Sequence, residues 1–242
     1  VSFDYSQQEL RILAALSGEK EMIDSFNNSL DIHKLTASEL FDVKLDEVTD
    51  SQRRVGKTVN FSVIYGISSF GLSERLKITR AEAGNFINKY FENYKSVKEY
   101  LDKVLEGARS QGFTETVLGR RRVNEMIRSN NRTLKAAAER ELFNFVIQSS
   151  AADIMKIALK KFEPLHEKFG SRLLLQIHDE FLFEIPFTGT EYKNDKNLIE
   201  FMSEIHHTMV EAYDIGVKYQ VDISLGRKWG ELNKFNNISN FG

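Results

Sequence analysis

The chain has 242 residues, 41% of them hydrophobic, with 33 basic and 35 acidic side chains and a formal net charge of −2. Two prolines and 14 glycines suit a folded, helix-rich chain of one domain or two closely joined ones, not a disordered one. The absence of cysteine excludes disulfides and thiolate metal centres and fits a cytosolic protein, while the near-neutral balance confines any nucleic-acid surface to a local patch.

No run approaches the ~20 apolar residues that a bilayer requires, and the N-terminus lacks the basic-then-apolar pattern of a signal peptide. No membrane partner is expected, and the sequons at Asn27, Asn131 and Asn237 read as incidental. Val1 to Tyr5 reads as the end of a strand. Ser6 to Ser17 reads as a helix with Leu10, Leu13, Ala14 and Leu16 as its apolar positions. A loop over Asn27 to Leu30 precedes Asp31-Ile32-His33, which leads into a short helix ending at Phe41.

The next stretch, Gln52 to Gly66, organises the rest. Thr49 followed by Gln52 has capping-box spacing, so a helix begins just before Arg53. At 100° per residue Arg53, Lys57, Phe61 and Tyr65 share one side, while Val55, Val59 and Val63 form an apolar seam opposite. Two cations at four-residue spacing can grip a polyphosphate, and a Phe ring can stack on a base. A surface helix with a basic rim is the plainer alternative. Gly56-Lys57-Thr58 mimics the end of a P-loop, but that motif needs Gly where Ser51 stands and a strand before it, so the P-loop is rejected.

Thr79 with Glu82 forms a second capping box, opening helical segments that run to about Arg109 and break at Gln111-Gly112. Phe113 to Val117 reads as a short extended piece, and Gly119-Arg120-Arg121-Arg122 as a basic turn. A long helix follows from about Thr133 to Phe162, with a bend expected near Ser149-Ser150. On it Arg140, Asn144 and Gln148 stand four apart, with Leu142, Phe143 and Val146 on the other side. Leu173 to Ile177 and Phe181 to Ile185 are β-favouring runs separated by His178-Asp179-Glu180, a hairpin pattern. Thr188 to Asn197 reads as a polar loop, Leu198 to Tyr213 as a helix, Tyr219 to Leu225 as a last strand, and Asn233 to Gly242 as frayed.

Asp4 and Asp179 both sit at strand ends. Either alone could be a solvated turn residue. If the strands are neighbours, both carboxylates converge on one sheet edge, the arrangement that in-line phosphoryl transfer with two divalent metals ~3.5–4 Å apart requires.

Taken together, three stretches resemble family A DNA polymerases of the bacterial DNA polymerase I type. Asp4-Tyr5-Ser6-Gln7-Gln8-Glu9-Leu10-Arg11 is similar to motif A. Arg53-x3-Lys57-x3-Phe61-x3-Tyr65-Gly66 is similar to motif B, and Gln176-Ile177-His178-Asp179-Glu180 to motif C. Their order is the family's, and the similarity runs from Phe3 to Leu225-Gly226-x-x-Trp229.

The resemblance implies an α+β fold: an antiparallel palm sheet carrying motifs A and C, with helical fingers inserted between them and no thumb. Residues 1–30 would be palm, 31–125 fingers with the motif B helix over 50–66, and 126–242 palm. Asp4 and Asp179 would be the metal ligands, with the Tyr5 backbone carbonyl as a further ligand and Glu180 a nearby catalytic carboxylate. Arg53, Lys57 and His33 would hold the triphosphate. Phe61 would border the sugar and base, Tyr65 would lie under the templating position, and Gln7 would contact the incoming nucleotide. Glu9 would be the steric gate against a ribose 2′-hydroxyl, although Ser6-x-x-Glu9 is also a capping box. Arg140, Asn144, Gln148 and His178 would touch DNA, and Arg120, Arg121 and Arg122 would hold backbone phosphates.

The implied cofactor is a pair of Mg²⁺ ions, with Mn²⁺ as a substitute. The implied partners are primer-template DNA and dNTPs, the protein being a monomer in its full-length form and cytoplasmic in a bacterial or phage-infected cell. Gln8 stands where motif A usually has an apolar residue, Ser62 where motif B has a Gly, and Val146 with Ser149-Ser150 where a Pro and a Gly-Thr pair are usual. The reading at this level is a template-directed polymerase fragment of low activity on its own. A single-subunit RNA polymerase, a non-catalytic DNA-binding remnant and a two-metal phosphohydrolase are its rivals.

Overall fold

A computed structural model describes residues 1–187, 189 and 191–235. In chain order it contains β1 (Ser2–Tyr5), α1 (Gln8–Ser17), α2 (Lys20–Asn27), α3 (Ile32–Phe41), α4 (Asp50–Ile64), α5 (Ser69–Leu76), α6 (Arg80–Asn93) and α7 (Lys95–Gln111). These are followed by β2 (Phe113–Glu115), β3 (Arg121–Val123), α8 (Arg132–Lys161), α9 (Glu163–Phe169), β4 (Arg172–Ile177), β5 (Glu180–Glu184), α10 (Lys196–Val210), β6 (Val221–Leu225) and β7 (Asn233–Lys234). The class is α+β. Contacts divide the chain into a sheet unit, made of Val1–Gln8, Ala151–Asp214 and Lys218 onward, and a helical unit of Glu9–Ser150 with Ile215–Val217.

In the sheet unit five strands run antiparallel in the order β4-β5-β1-β6-β7. β1 is central, so its alternation decides which residues face which side. Phe3 is fully buried, while Asp4, one residue on, lies exposed on the opposite face. The buried face is aromatic: Phe3 meets Phe183 edge-on at 5.6 Å between centroids, Phe162 meets Phe181 at 5.0 Å, and Phe201 of α10 meets Phe183 at 5.6 Å. Such edge-to-face pairs add ~0.5–1.5 kcal/mol each to the area they bury, so the strand that carries Asp4 has a firm backing.

In the helical unit, α4 begins where the capping box places it. Thr49 accepts from Gln52 N and the Gln52 side chain accepts from Thr49 N. Thr79 and Glu82 do the same for α6. α3 and α4 pack so closely that a Cβ on Gly56 would stand 2.3 Å from the His33 carbonyl oxygen. This is why a glycine occupies the helix there, and it supplies the structural reason that Gly56-Lys57-Thr58 is not a P-loop. Gly112 ends α7 at φ +88, a left-handed backbone that glycine adopts without a Cβ penalty.

Several expectations shift. α2, α5 and α9 are additional helices, and the spacing of buried Met22 and Phe26 is the signal that α2 offered. Arg121 and Arg122 lie in β3, paired with Glu115 and Thr114, and not in a turn. α8 continues through Ser149-Ser150, where Ser150 Oγ donates back to the Val146 carbonyl. α8 is also long and apolar enough to cross a bilayer by length and composition alone, contrary to the sequence expectation, but 56% of its apolar window is buried within the protein. β7 takes up Asn233 and Lys234 from the stretch expected to fray. The remainder of that stretch from 236, with Asn237, and Thr188 and Thr190 of the polar loop, lie outside the described residues.

Candidate functional site

The sheet unit carries an acidic edge. β1 pairs with β5 so that Asp4 faces Glu180, and with β6 so that Asp4 faces Asp222. Residues directly opposite in a ladder project from the same face, so three carboxylates share it. Asp179 joins them through the hairpin turn: its carbonyl accepts from Tyr5 N at 3.1 Å. The two-residue turn between Ile177 and Glu180 closes because His178 takes φ +55, and Gln7 takes φ +57 where β1 gives way to α1. The Tyr5 ring is buried, with its hydroxyl donating to the Met209 carbonyl at 2.6 Å, which anchors the backbone next to Asp4. Burial, then the charges of Asp179, Glu180 and Asp222, push the Asp4 carboxyl up to about 6. Asp179 is also raised, by burial first, against the help of its own backbone hydrogen bond and of His178.

Gathered carboxylates that repel one another suit hard divalent cations, which bind oxygen donors. Ser2 Oγ donates to Glu180 Oε1, leaving Asp4 and Asp179 as the more available donors. Among the described residues no three His, Cys, Asp or Glu side chains close a metal cage. Oxygen donors of this kind suit divalent cations that take further ligands from outside the protein.

The helical unit carries a row of cations and rings. On α4, Lys57 is exposed and Arg53 and Phe61 are partly exposed. Tyr65 caps the C-terminus of the helix and donates to Glu9 Oε2 at 3.3 Å. Arg53 Nε is held at 2.5 Å by Asp31 Oδ2, whose other oxygen caps α3 by accepting from His33 N and Lys34 N. His33 is 2% exposed, with its ring 5.8 Å from that of Phe61. Motif B and His33 are thus brought together, and Glu9 meets Tyr65. Opposite the row, Val59 and Val63 are buried as expected, but Val55 is only half-buried, and Gly56 and Asn60 fill the α3 contact.

Arg140 and Gln148 are exposed on α8, while Leu142, Phe143 and Val146 are buried. Asn144 Oδ1 accepts no hydrogen bond among the described residues. Gly66, at φ +59, lies so near Arg140 that a Cβ there would come within 2.8 Å of its Cγ. The three arginines each have an acceptor inside the protein: Arg120 donates to the Ser149 carbonyl at 3.0 Å, Arg121 to Glu115 at 2.6 Å, and Arg122 to Glu141 at 2.6 Å. Exposed pairs of this kind contribute ~0–1 kcal/mol, so a phosphate can compete for these cations.

Sequence reasoning passed over Asp31, Asn60 and Asp222. Asp31 had a signal, since an Asp just before a helical run is a strong N-cap. Asn60, four residues after Gly56 on one helix face, had one too. Asp222 had only its alternation within β6.

Residues 1–231 match the model of DNA polymerase family A. The DNA polymerase I of Caldicellulosiruptor bescii is 43% identical over 233 residues, 96% of this chain and 26% of that protein. The thermostable DNA polymerase I of Thermus caldophilus is 41% identical over 229 residues, 95% of this chain and 26% of that protein. Among solved structures, the POL domain of Pol1 from M. smegmatis, in complex with DNA primer-template and dNTP, superposes with a TM-score of 0.87 at 39% identity, covering 96% of this chain and 40% of that one. The chain spans about a quarter of the length of the curated relatives it matches. An acidic sheet edge and a cation-bearing helix, matched along nearly the whole chain, make this a member of DNA polymerase family A.

Proposed function

We propose that the chain supplies the palm and fingers of a template-directed DNA polymerase, which joins a dNTP to a primer 3′-end and releases pyrophosphate. The primer 3′-oxygen forms a bond to the α-phosphorus as the bond to the pyrophosphate oxygen breaks. The observation that supports this most is the register pairing Asp4 with Glu180, together with the hydrogen bond from Tyr5 N to Asp179 O at 3.1 Å. Asp4, Asp179 and the Tyr5 carbonyl would hold two divalent ions, whose charge would lower the pKa of the attacking hydroxyl and neutralise the leaving pyrophosphate.

The remaining groups act on the nucleotide and the DNA. Lys57 and Arg53 bind the triphosphate, and Asp31 holds the Arg53 guanidinium in place for that task. Lys57 balances the charge that grows on the leaving group. Glu9, fixed by Tyr65, occupies the space of a 2′-hydroxyl, and this favours a deoxynucleotide over the ribonucleotide of an RNA polymerase. Gln7 and Phe61 flank the incoming nucleotide. Arg140, Asn144 and Gln148 offer hydrogen bonds to minor-groove acceptors shared by all base pairs. His178 and Arg120 to Arg122 serve the DNA backbone. Primer extension on a defined template with Mg²⁺ tests this. Incorporation of dNTPs in preference to NTPs, with a preference that weakens in Glu9→Ala, is the expected result. An unchanged ratio in that variant would remove the gate assignment, and no extension at all by the unaltered protein would remove the polymerase reading.

A further inference from the structure

Asn60 is fully buried in the middle of α4, beside Val59, Val63 and Ile64. An amide there needs partners, because an unsatisfied buried polar group costs ~1–3 kcal/mol. Its Nδ2 lies 3.2 Å from His33 Nδ1 and 3.0 Å from Thr36 Oγ1. Thr36 Oγ1 is 3.1 Å from the Tyr94 hydroxyl, and Tyr94 hydrogen-bonds the carboxyl of Glu39. The contact of Gly56 with the His33 carbonyl presses the two helices together and fixes where the imidazole stands.

Thr36 Oγ1 touches both ends of the amide, 3.0 Å from Nδ2 and 3.2 Å from Oδ1, to which it can donate. Of the Asn60 side chain, the Nδ2 amino group is what stands against the His33 ring nitrogen. An amide NH₂ can only donate, so His33 Nδ1 must be the unprotonated ring nitrogen. Burial, then the charges of Arg53 and Lys57 against the opposing pull of Asp31, lower the His33 pKa to about 4. The ring is neutral at pH 7 and carries one proton.

We infer that Asn60 is a positioning residue: through the Asn60–Thr36–Tyr94–Glu39 hydrogen-bond chain it locks His33 in the Nε2–H tautomer, so that the ring can only donate towards a nucleotide phosphate. The phosphate role of His33 rests on the proposed function; the tautomer does not. A neutral donor leaves the charge at the triphosphate to Arg53 and Lys57, while the fixed tautomer removes the orientation in which an imidazole lone pair would oppose an anion.

The test has two arms. In histidine-labelled protein, ¹⁵N chemical shifts should report His33 with a protonated Nε2 and a bare Nδ1. A protonated Nδ1 overturns the inference whether or not the protein extends primers. In the kinetic arm, Asn60→Leu keeps the branched shape and removes both donors. The KM for dNTP should rise about tenfold, the scale of one hydrogen bond to a charged group, with primer-template affinity unchanged. Thr36→Val, a milder change that covers the case of a misfolded Asn60→Leu, should lose part of the tautomer preference and raise KM in the same direction. In a His33→Ala background Asn60→Leu should add nothing. A full, additive loss there, or an unchanged KM in both folded variants, would sink the inference.

Discussion

The two units of this chain treat charge in opposite ways. The sheet unit gathers like charges: Asp4 stands in register with Glu180 and Asp222, next to Asp179, and its carboxyl is raised to about 6. Of these, Asp222 has a cation at hand, Lys234 at 3.0 Å. The helical unit pairs several of its arginines with carboxylates. Arg53 has Asp31, Arg109 has Glu139, Arg121 has Glu115 and Arg122 has Glu141, each at 2.5 or 2.6 Å. A β-ladder backed by aromatic rings can hold side chains together against repulsion, because the backbone fixes their positions. Long cationic side chains on helices have no such constraint and take their positions from partners. Under the proposed function, the unbalanced edge would take cations and the paired row an anion.

The largest effect should come from breaking each side of this contrast in turn. Asp4→Ala should cut single-turnover primer extension by about 10³-fold or more, the scale of losing a stabiliser of transition-state charge, with dNTP affinity little changed in the presence of Mg²⁺. Lys57→Ala should instead weaken dNTP binding as well as slow the chemistry, because its charge acts in both the ground state and the transition state. Exchanged phenotypes would show that the acidic and basic sets have been assigned the wrong tasks.

Gly56→Ala comes next. Alanine favours a helix over glycine by up to ~1 kcal/mol, but the new methyl would meet the His33 carbonyl at 2.3 Å and Ala37 N at 3.0 Å. Forcing packed helices apart costs ~1–3 kcal/mol or more, so the clash wins. Thermal unfolding should shift down and the KM for dNTP should rise as His33 moves. A stabilised variant with unchanged kinetics would mean that the α3–α4 contact is looser than described.

These two tests draw on features of unequal legibility. The roles given to Asp4, Lys57, Phe61 and Asp179 came from the family resemblance. Their positions on strand, helix and hairpin were readable because these elements have local patterns: a helix repeats every 3.6 residues, and a hairpin announces itself by two β-runs around a short polar break. Thr49 and Thr79 were readable for the same reason, since a capping box is complete within four residues. The strand pairing was not. That Asp4 would face Asp222 depends on contacts across more than two hundred residues, and nothing near position 222 encodes them. The partners of Arg120, Arg121 and Arg122 were hidden likewise, because a basic run looks the same whether its acceptors are phosphates or the protein's own carboxylates. Gly56 was visible but open to misreading, since a glycine before Lys-Thr fits a phosphate loop as well as a helix crossing.

A smaller effect concerns the acidic edge without metal. Because burial and its neighbours raise Asp4 from 3.8 to about 6, its contribution favours the fold below about pH 4 and is lost as pH rises through 6. In EDTA, Asp4→Asn should therefore raise the melting temperature at pH 8 and do much less at pH 4. Added Mg²⁺ should stabilise the unaltered protein more at pH 8 than at pH 5, and the variant less at either. A variant that melts like the unaltered protein at both pH values would show that the edge is not strained by its charges.

The subtlest test turns on an acid in the helical unit. Glu39 is raised from 4.5 to about 8, by burial first and then by Glu21, to which it is hydrogen-bonded, while Tyr94 and Asn93 pull it the other way. Here too stability is complete below about pH 4.5 and is lost as pH rises through 8. The remedy is different, however. Glu39 keeps its proton and shares it with Glu21 inside the protein, whereas at high pH the Asp4 end of the sheet edge is open to relief by a cation from solution. Amide hydrogen exchange, which reads local opening in the two units separately, should show protection falling in both between pH 5 and pH 9 once the intrinsic pH dependence is removed. Mg²⁺ should restore the β1–β5–β6 amides and leave those of α3 and α6 unchanged. Glu39→Gln, which supplies the proton permanently, should flatten the loss in α3 and α6 and leave the strands alone. If Mg²⁺ restored both sets, the two clusters would be one electrostatic system, and the contrast between an open acidic edge and a self-contained helical unit would fail.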